Sequence, residues 1–185
     1  MSHIRYGRAR AQTGAALVTS LLILLVLTVI GITAMQVTRM QERMAGNSRD
    51  LNMAFQGAEA AVRNGESLIR TQPSRPDTCI ALPCEFWQQG VSTVASPETQ
   101  GKAWWDQYAD EYEASGAHDS PTVDMPELWE DPRFVVQYIT RVPDSLTIGE
   151  GGGVPPGRDF YQVTGRSAGA TGKANTVVQS TFARR

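Results

Sequence analysis

A histidine, an aspartate and a serine stand together once in the 185-residue chain, in Ala117-His118-Asp119-Ser120. Acyl transfer by a Ser-His-Asp relay draws its members from separate elements around an oxyanion site. Three consecutive residues among loop formers cannot place their side chains in that relay. The other histidine, His3, precedes a long apolar run. Asp106, Asp110, Glu111 and Glu113 form an acidic group whose spacing is not that of a calcium-binding EF-hand. A solvated charged face accounts for them. The run Gly149-Glu150-Gly151-Gly152-Gly153-Val154-Pro155-Pro156-Gly157 lacks the Gly-Lys-Ser/Thr ending of a phosphate loop and precedes no helical pattern. It reads as a mobile connection. No catalytic residue, metal site or cofactor is expected, and the chain is not expected to be an enzyme.

Cys79 and Cys84 are the only cysteines. Their spacing fits neither a metal knuckle nor a thioredoxin-type pair. If they lie outside the cytoplasm they can close a tight loop as a disulfide, worth about 2 kcal/mol by the loop-entropy relation. Otherwise they are two unrelated reduced thiols. The choice depends on which side of a membrane the bulk of the chain occupies.

No charge occurs between Arg10 and Arg39, and Ala15 to Met35 is nearly all apolar. About 21 helical residues cover about 31 Å, enough to cross a hydrocarbon core. The run has no polar face, unlike the core helix of a soluble protein. Thr19, Ser20, Thr28 and Thr33 can return their hydroxyls to backbone carbonyls. Arg5, Arg8 and Arg10 precede the run, which places the N-terminus in the cytoplasm and the bulk outside it, where disulfides persist. The run is too long for a usual secretory signal, and Gly31 and Ala34 make a poor cleavage site. Hydropathy alone leaves a simple single-pass anchor as an alternative. The formal charge of −2 and the scattered basic residues give no reason to expect a nucleic-acid partner.

No proline follows until Pro73. Met44, Ser48, Leu51, Phe55, Ala58, Val62, Gly65 and Ile69 recur at alternating steps of four and three, which predicts one helical stripe. Charged residues, Asp50 among them, fill the other faces. The expectation is one helix over about 15–71, its outer half amphipathic and needing a cover. Gly31, Gly46, Gly57 and Gly65 mark bends or close approaches, or are merely tolerated. Trp104, Trp105, Tyr108 and Tyr112, with Phe86 and Trp87, either build a small domain's core or form a partner contact patch. Residues 133–142, 160–167 and 176–182 read as strands, the last two as a hairpin. The fold class expected is α+β: a long N-terminal helix packed on a small antiparallel sheet.

The order basic leader, Gln12-Thr13-Gly14, Ala15-Ala16 and apolar run resembles the type IV prepilin signal. The resemblance implies cleavage between Gly14 and Ala15 by a prepilin peptidase, N-methylation of Ala15, and a pilin-like lollipop. Thr19 stands at the fifth mature position, where major pilins carry a glutamate thought to neutralise a neighbour's N-terminal amine. Pseudopilins that cap a fibre share this loss. The stretch Gln41-Glu42-Arg43-Met44-Ala45-Gly46-Asn47, with Phe55 and Glu59 in the following turns, is similar to the N-terminal signature of PilX-type minor pilins, and residues 160–185 resemble that family in pattern. The implied organisation is a leader at 1–14, a transmembrane and fibre-core helix at 15–36, its amphipathic continuation at 37–72 and a periplasmic head at 73–185. The implied role is that of a low-abundance subunit of a tip complex that primes pilus assembly and supports twitching and attachment. Its partners would be other minor pilins, the major pilin, a tip adhesin and the inner membrane. The alternative is a tip-capping pseudopilin of a type II secretion system.

Overall fold

The absence of proline before residue 73 leaves the N-terminal stretch free to form a single helix, and α1 spans Thr13–Thr71. It stops before the Gln72-Pro73 pair, where proline disfavours helical backbone in the preceding residue. The computed structural model describes residues 13–113, 125–144 and 156–185. Chain contacts divide it into two compact units, Met1–Gly46 and Asn47–Arg185.

In the first unit the large apolar side chains from Leu17 to Met44 are exposed. One helix of the described residues is long and apolar enough to cross a membrane.

The second unit is built on a mixed sheet. The strands are β1 (Phe86–Gln88), β2 (Asp110–Glu111), β3 (Arg133–Pro143), β4 (Gly157–Ala168) and β5 (Asn175–Arg184). The main path is β1-β3-β4-β5, and β2 also pairs with β3. β3, β4 and β5 run antiparallel, with Val136 opposite Val163 and Val163 opposite Ser180. The sheet departs from the expected antiparallel form at β1, which pairs parallel to β3 with Phe86 opposite Val136. Three residues have no period to read. β1 is held from outside by Cys79, whose N–H donates to Phe86 O and whose carbonyl accepts from the Gln88 N–H.

Both faces of β3 are covered, which is why Arg133-Phe-Val-Val-Gln-Tyr-Ile-Thr-Arg-Val142 shows so little polar alternation. Phe134 and Val136 join Ala61, Val62, Ile69, Phe86, Tyr161 and Val163 in the core between α1 and the sheet. Val135 packs on the opposite face with Trp87, Val94 and Trp105. That second layer includes α2 (Lys102–Tyr108). Trp105 is fully buried, Trp104 donates through Nε1 to Thr93 O at 2.7 Å, and Tyr108 meets Trp87 edge-on at 6.0 Å. These rings are core. Fully burying one large apolar side chain contributes about 1.5–3 kcal/mol, so this layer stabilises the region between β1 and β3 where the backbone is irregular.

Of the expected stripe, Ala58, Val62, Gly65 and Ile69 meet the sheet, whereas the earlier members do not. Met44, Leu51 and Phe55 are exposed, at 61%, 46% and 45%. The buried positions are Asp50, Ala54, Gly57, Ala58, Ala61, Val62, Gly65 and Ile69. They also follow helical steps of three and four, and five of the eight are glycine or alanine. A Cβ on Gly65 would lie 2.6 Å from Val163 Cγ1, and one on Gly165 would lie 2.6 Å from Ala58 O. The β4 backbone therefore sits directly against α1. Where β4 comes closest only small residues fit, and a stripe carried back through Met44, Leu51 and Phe55 misses Asp50, Ala54, Gly57 and Ala61. Gly57 lies against Ser167 and Leu128, whereas Gly31 and Gly46 face open space.

Candidate functional site

Two surfaces of α1 have to be distinguished: the one that holds the head and the one left uncovered. Asp50 anchors the first. It is 6% exposed, and its two carboxylate oxygens accept from the Thr171 N–H at 3.0 Å and the Thr171 hydroxyl at 2.5 Å. Thr171 lies in the turn joining β4 to β5, where Gly172 adopts a φ of 70°. A Cβ on Gly169 would fall 2.5 Å from Asp50 Oδ1, so glycine at that position is what lets the carboxylate reach the turn. The Thr171 hydroxyl, and then the backbone N–H, hold the Asp50 carboxyl below its usual range, against an opposing effect of burial. Farther along α1, Ser180 donates to Glu66 at 2.6 Å and Asn64 donates to Glu113 O at 2.7 Å. Asp50 does not belong to the exposed charged face to which its residue type assigns it. The available signal was its four-residue spacing to Ala54 and Ala58.

The uncovered surface carries the residues singled out in the sequence. Gly14 and Ala15 are exposed, and nothing lies within 4 Å of a Cβ placed on Gly14. Thr19 donates to Ala15 O at 3.1 Å and Ala16 O at 3.0 Å. Ser20, Thr28 and Thr33 likewise donate to Leu17 O, Leu25 O and Val29 O. Every hydroxyl in the apolar stretch thus has an acceptor within its own helix, so the stretch presents no unmet donor to lipid or to a neighbouring helix. In the PilX-like signature, Glu42, Arg43, Met44, Ala45, Gly46 and Asn47 are all exposed. Phe55 is exposed as well, and Glu59 pairs with Arg63 at 2.9 Å. None of these residues belongs to the buried face that holds the sheet.

Cys79 and Cys84 form a disulfide with Cα atoms 5.8 Å apart. Two members of the acidic group are in ion pairs. Asp106 meets Lys102 at 2.9 Å and Arg133 at 3.4 Å, and Glu111 meets Arg133 at 3.7 Å. No grouping of metal-ligating side chains occurs among the described residues. His118, Asp119 and Ser120, residues 1–12 of the leader with His3, and most of the glycine-rich connection lie outside the described residues.

The described residues thus present an apolar helix with its hydroxyls satisfied, continuing into an exposed signature, and a head with a disulfide-closed loop. Comparison with known families agrees. The PilX N-terminal family matches residues 13–63, and the type IV pilus assembly protein PilX C-terminal family matches residues 45–184. No curated protein and no solved structure matches the chain. The second match alone takes in the whole described head together with the part of α1 that packs on it, and so the chain belongs to the PilX family of type IV pilus assembly proteins.

Proposed function

We propose that this PilX-family minor pilin acts in the tip complex that primes pilus assembly, in a structural and not a catalytic role. It is made as a prepilin, cut between Gly14 and Ala15 on the cytoplasmic side of the inner membrane, and methylated on Ala15. Its N-terminal helix rests in that membrane with the head in the periplasm, then packs among the helices of other minor pilins and the major pilin. A tip adhesin is the partner ahead of it.

The observation that carries this reading is Thr19. A subunit in the shaft lies behind another whose N-terminal amine is buried among apolar helices. An unpaired charge there costs several kcal/mol, so a shaft subunit needs a carboxylate to meet it. Thr19 offers none, and its hydroxyl is already spent on Ala15 O and Ala16 O of its own helix. A subunit at the leading end meets no such amine. Immunogold labelling of sheared fibres tests this reading: label confined to one fibre end is the expected result, together with few fibres and poor twitching in a deletion strain. Label spread evenly along the shaft would overturn it.

A further inference from the structure

We propose that the outer edge of β5 is a strand-addition site, where an extended, uncharged segment of another pilus subunit pairs with the backbone and sets alternate apolar side chains against Leu51 and Phe55 of α1. The inference rests on the reading of the chain as an assembly subunit.

β5 is the last strand of the sheet path, and among the described residues no strand lies beyond it. Its 10 residues give about 34 Å of edge. An edge of that length is ordinarily blunted by charge, proline or a bulge, because its unpaired N–H and C=O groups template another strand. β5 has none of these. Thr176 to Ala183 contains no charged residue and no proline, and the pairing with β4 runs from Asn175 to Arg184 without a register shift. The other margin of the sheet is short: β1 has 3 residues, with Cys79 bridged to its outer side, and β2 has 2.

The side of α1 next to this edge is unfilled. Val178 and Phe182 turn toward the core, and Ser180 donates to Glu66, yet all three are only half-buried. Phe55 precedes Glu66 by about three turns, on the same line of the helix. Gly57 lies against Ser167, which is opposite Thr176. Phe55 is therefore on the β5 side of α1, about level with the start of the strand, and Leu51 is one turn before it. Both are exposed. A strand added beyond β5 extends the sheet on this side, with every second side chain pointing toward the α1 face. The charges on this side are engaged: Glu59 pairs with Arg63, Glu66 accepts from Ser180, and Arg70 lies over the Phe182 ring. Lys173 stands in the turn before the strand, and Arg184 at its end is bonded to the Gln72 and Ser74 carbonyls. A charge on the inward side of an added strand would be buried without a partner, which selects an uncharged segment. The undescribed stretches 114–124 and 145–155 follow β2 and β3, not β5.

A second copy joined through its own β5 fits less well. α1 runs in the same sense as β5, with Gly57 near the level of Thr176 and Arg70 over Phe182. A two-fold, antiparallel β5 pair would carry α1 in opposite directions in the two copies. Subunits inserted in one membrane with one orientation carry it in the same direction.

The test uses the full-length chain in its own cells, with a photo-cross-linking residue in place of Val177, of Thr181 or, as a control, of Glu98, all three exposed. Positions 177 and 181 are expected to reach one stretch of another pilus subunit, at points about four residues apart, and position 98 to give at least about tenfold fewer cross-links. V177K/T181K, which puts charge on the edge, is expected to lower the amount of the chain in sheared fibres at least about tenfold, and V177T/T181V to retain it. Equal yields from 177 and 98, attachment points that do not advance between 177 and 181, or cross-links to residues 145–155 of the same chain or to β5 of a second copy would overturn the inference while the wild-type chain still enters fibres. A wild-type chain that enters no fibre would overturn the subunit reading and this inference with it. The cross-linking result stands whether or not the lysine variant folds.

Discussion

Asp50 and Gly14 show how far a single residue's meaning depends on what surrounds it. Asp50 is a carboxylate in a helix that carries many exposed charges, yet it bonds a turn more than a hundred residues away in the chain. Its folded-state carboxyl titrates below the ordinary value of 3.8, so it contributes stability above that value that is lost as pH falls through the folded one. Urea titration of the detergent-solubilised chain is expected to show a drop in stability between pH 7 and pH 3. Asp50→Asn is expected to lower stability at pH 7 and to shrink that drop. An Asn variant as stable as wild type at pH 7 would remove the clamp from the account. Gly14 is read through the residues on either side of it, a basic leader before and an apolar run after. Replacement of Gly14 by a bulky residue is expected to leave an uncut, slower-migrating precursor, and intact-mass measurement of the wild-type chain should give an N-terminus at Ala15. A mature chain beginning beyond Met35 would point to a secretory signal instead.

At the scale of elements, the contact between α1 and β4 depends on small residues. Gly165→Ala drives a Cβ against the Ala58 carbonyl oxygen, a backbone atom that cannot turn aside. The expected loss is about 1–3 kcal/mol, from the overpacking of a close contact. Gly46→Ala, at a position with open space around it, is expected to stabilise the helix by up to about 1 kcal/mol, the intrinsic difference between the two residues. Thermal melts of the two variants should move in opposite directions. The loop before β1 depends on its disulfide in the same way. Cys79→Ser with Cys84→Ser frees the loop in the unfolded chain and is expected to cost about 2 kcal/mol. Denaturant melts of the oxidised wild type and the double variant measure it, and equal midpoints would count against the bridge as a staple.

For the whole molecule, the prediction concerns the place of the subunit among its neighbours. Thr19→Glu adds a carboxylate to an apolar helix, where it is expensive unless paired. At the leading end of a fibre no amine lies ahead of it, so the substitution is expected to leave fibre number unchanged or modestly reduced, and not to raise incorporation of the protein. Quantitative immunoblots of sheared fibres decide between the cases. A rise in incorporation without harm to assembly would mean that Thr19 is a tolerated loss in a shaft subunit.

The sequence by itself determined the long helix, the three main strands, the α+β class and the family. Each of these follows from local repetition: an uncharged run longer than a bilayer is thick, β-branched stretches, and short motifs along the helix. Helical period is a property of neighbouring residues, and it is legible without partners. Which face of α1 is buried ahead of Ala58 was decided only by tertiary structure. Met44, Leu51 and Phe55 satisfy the helical period as well as Asp50, Ala54 and Ala61 do, and nothing in α1 itself says that β4 approaches too closely for large side chains. The parallel pairing of β1 with β3 and the burial of Asp50 share that origin. Each depends on contacts between residues tens of positions apart, and the register of the sheet, which local pattern does not specify, brings them together.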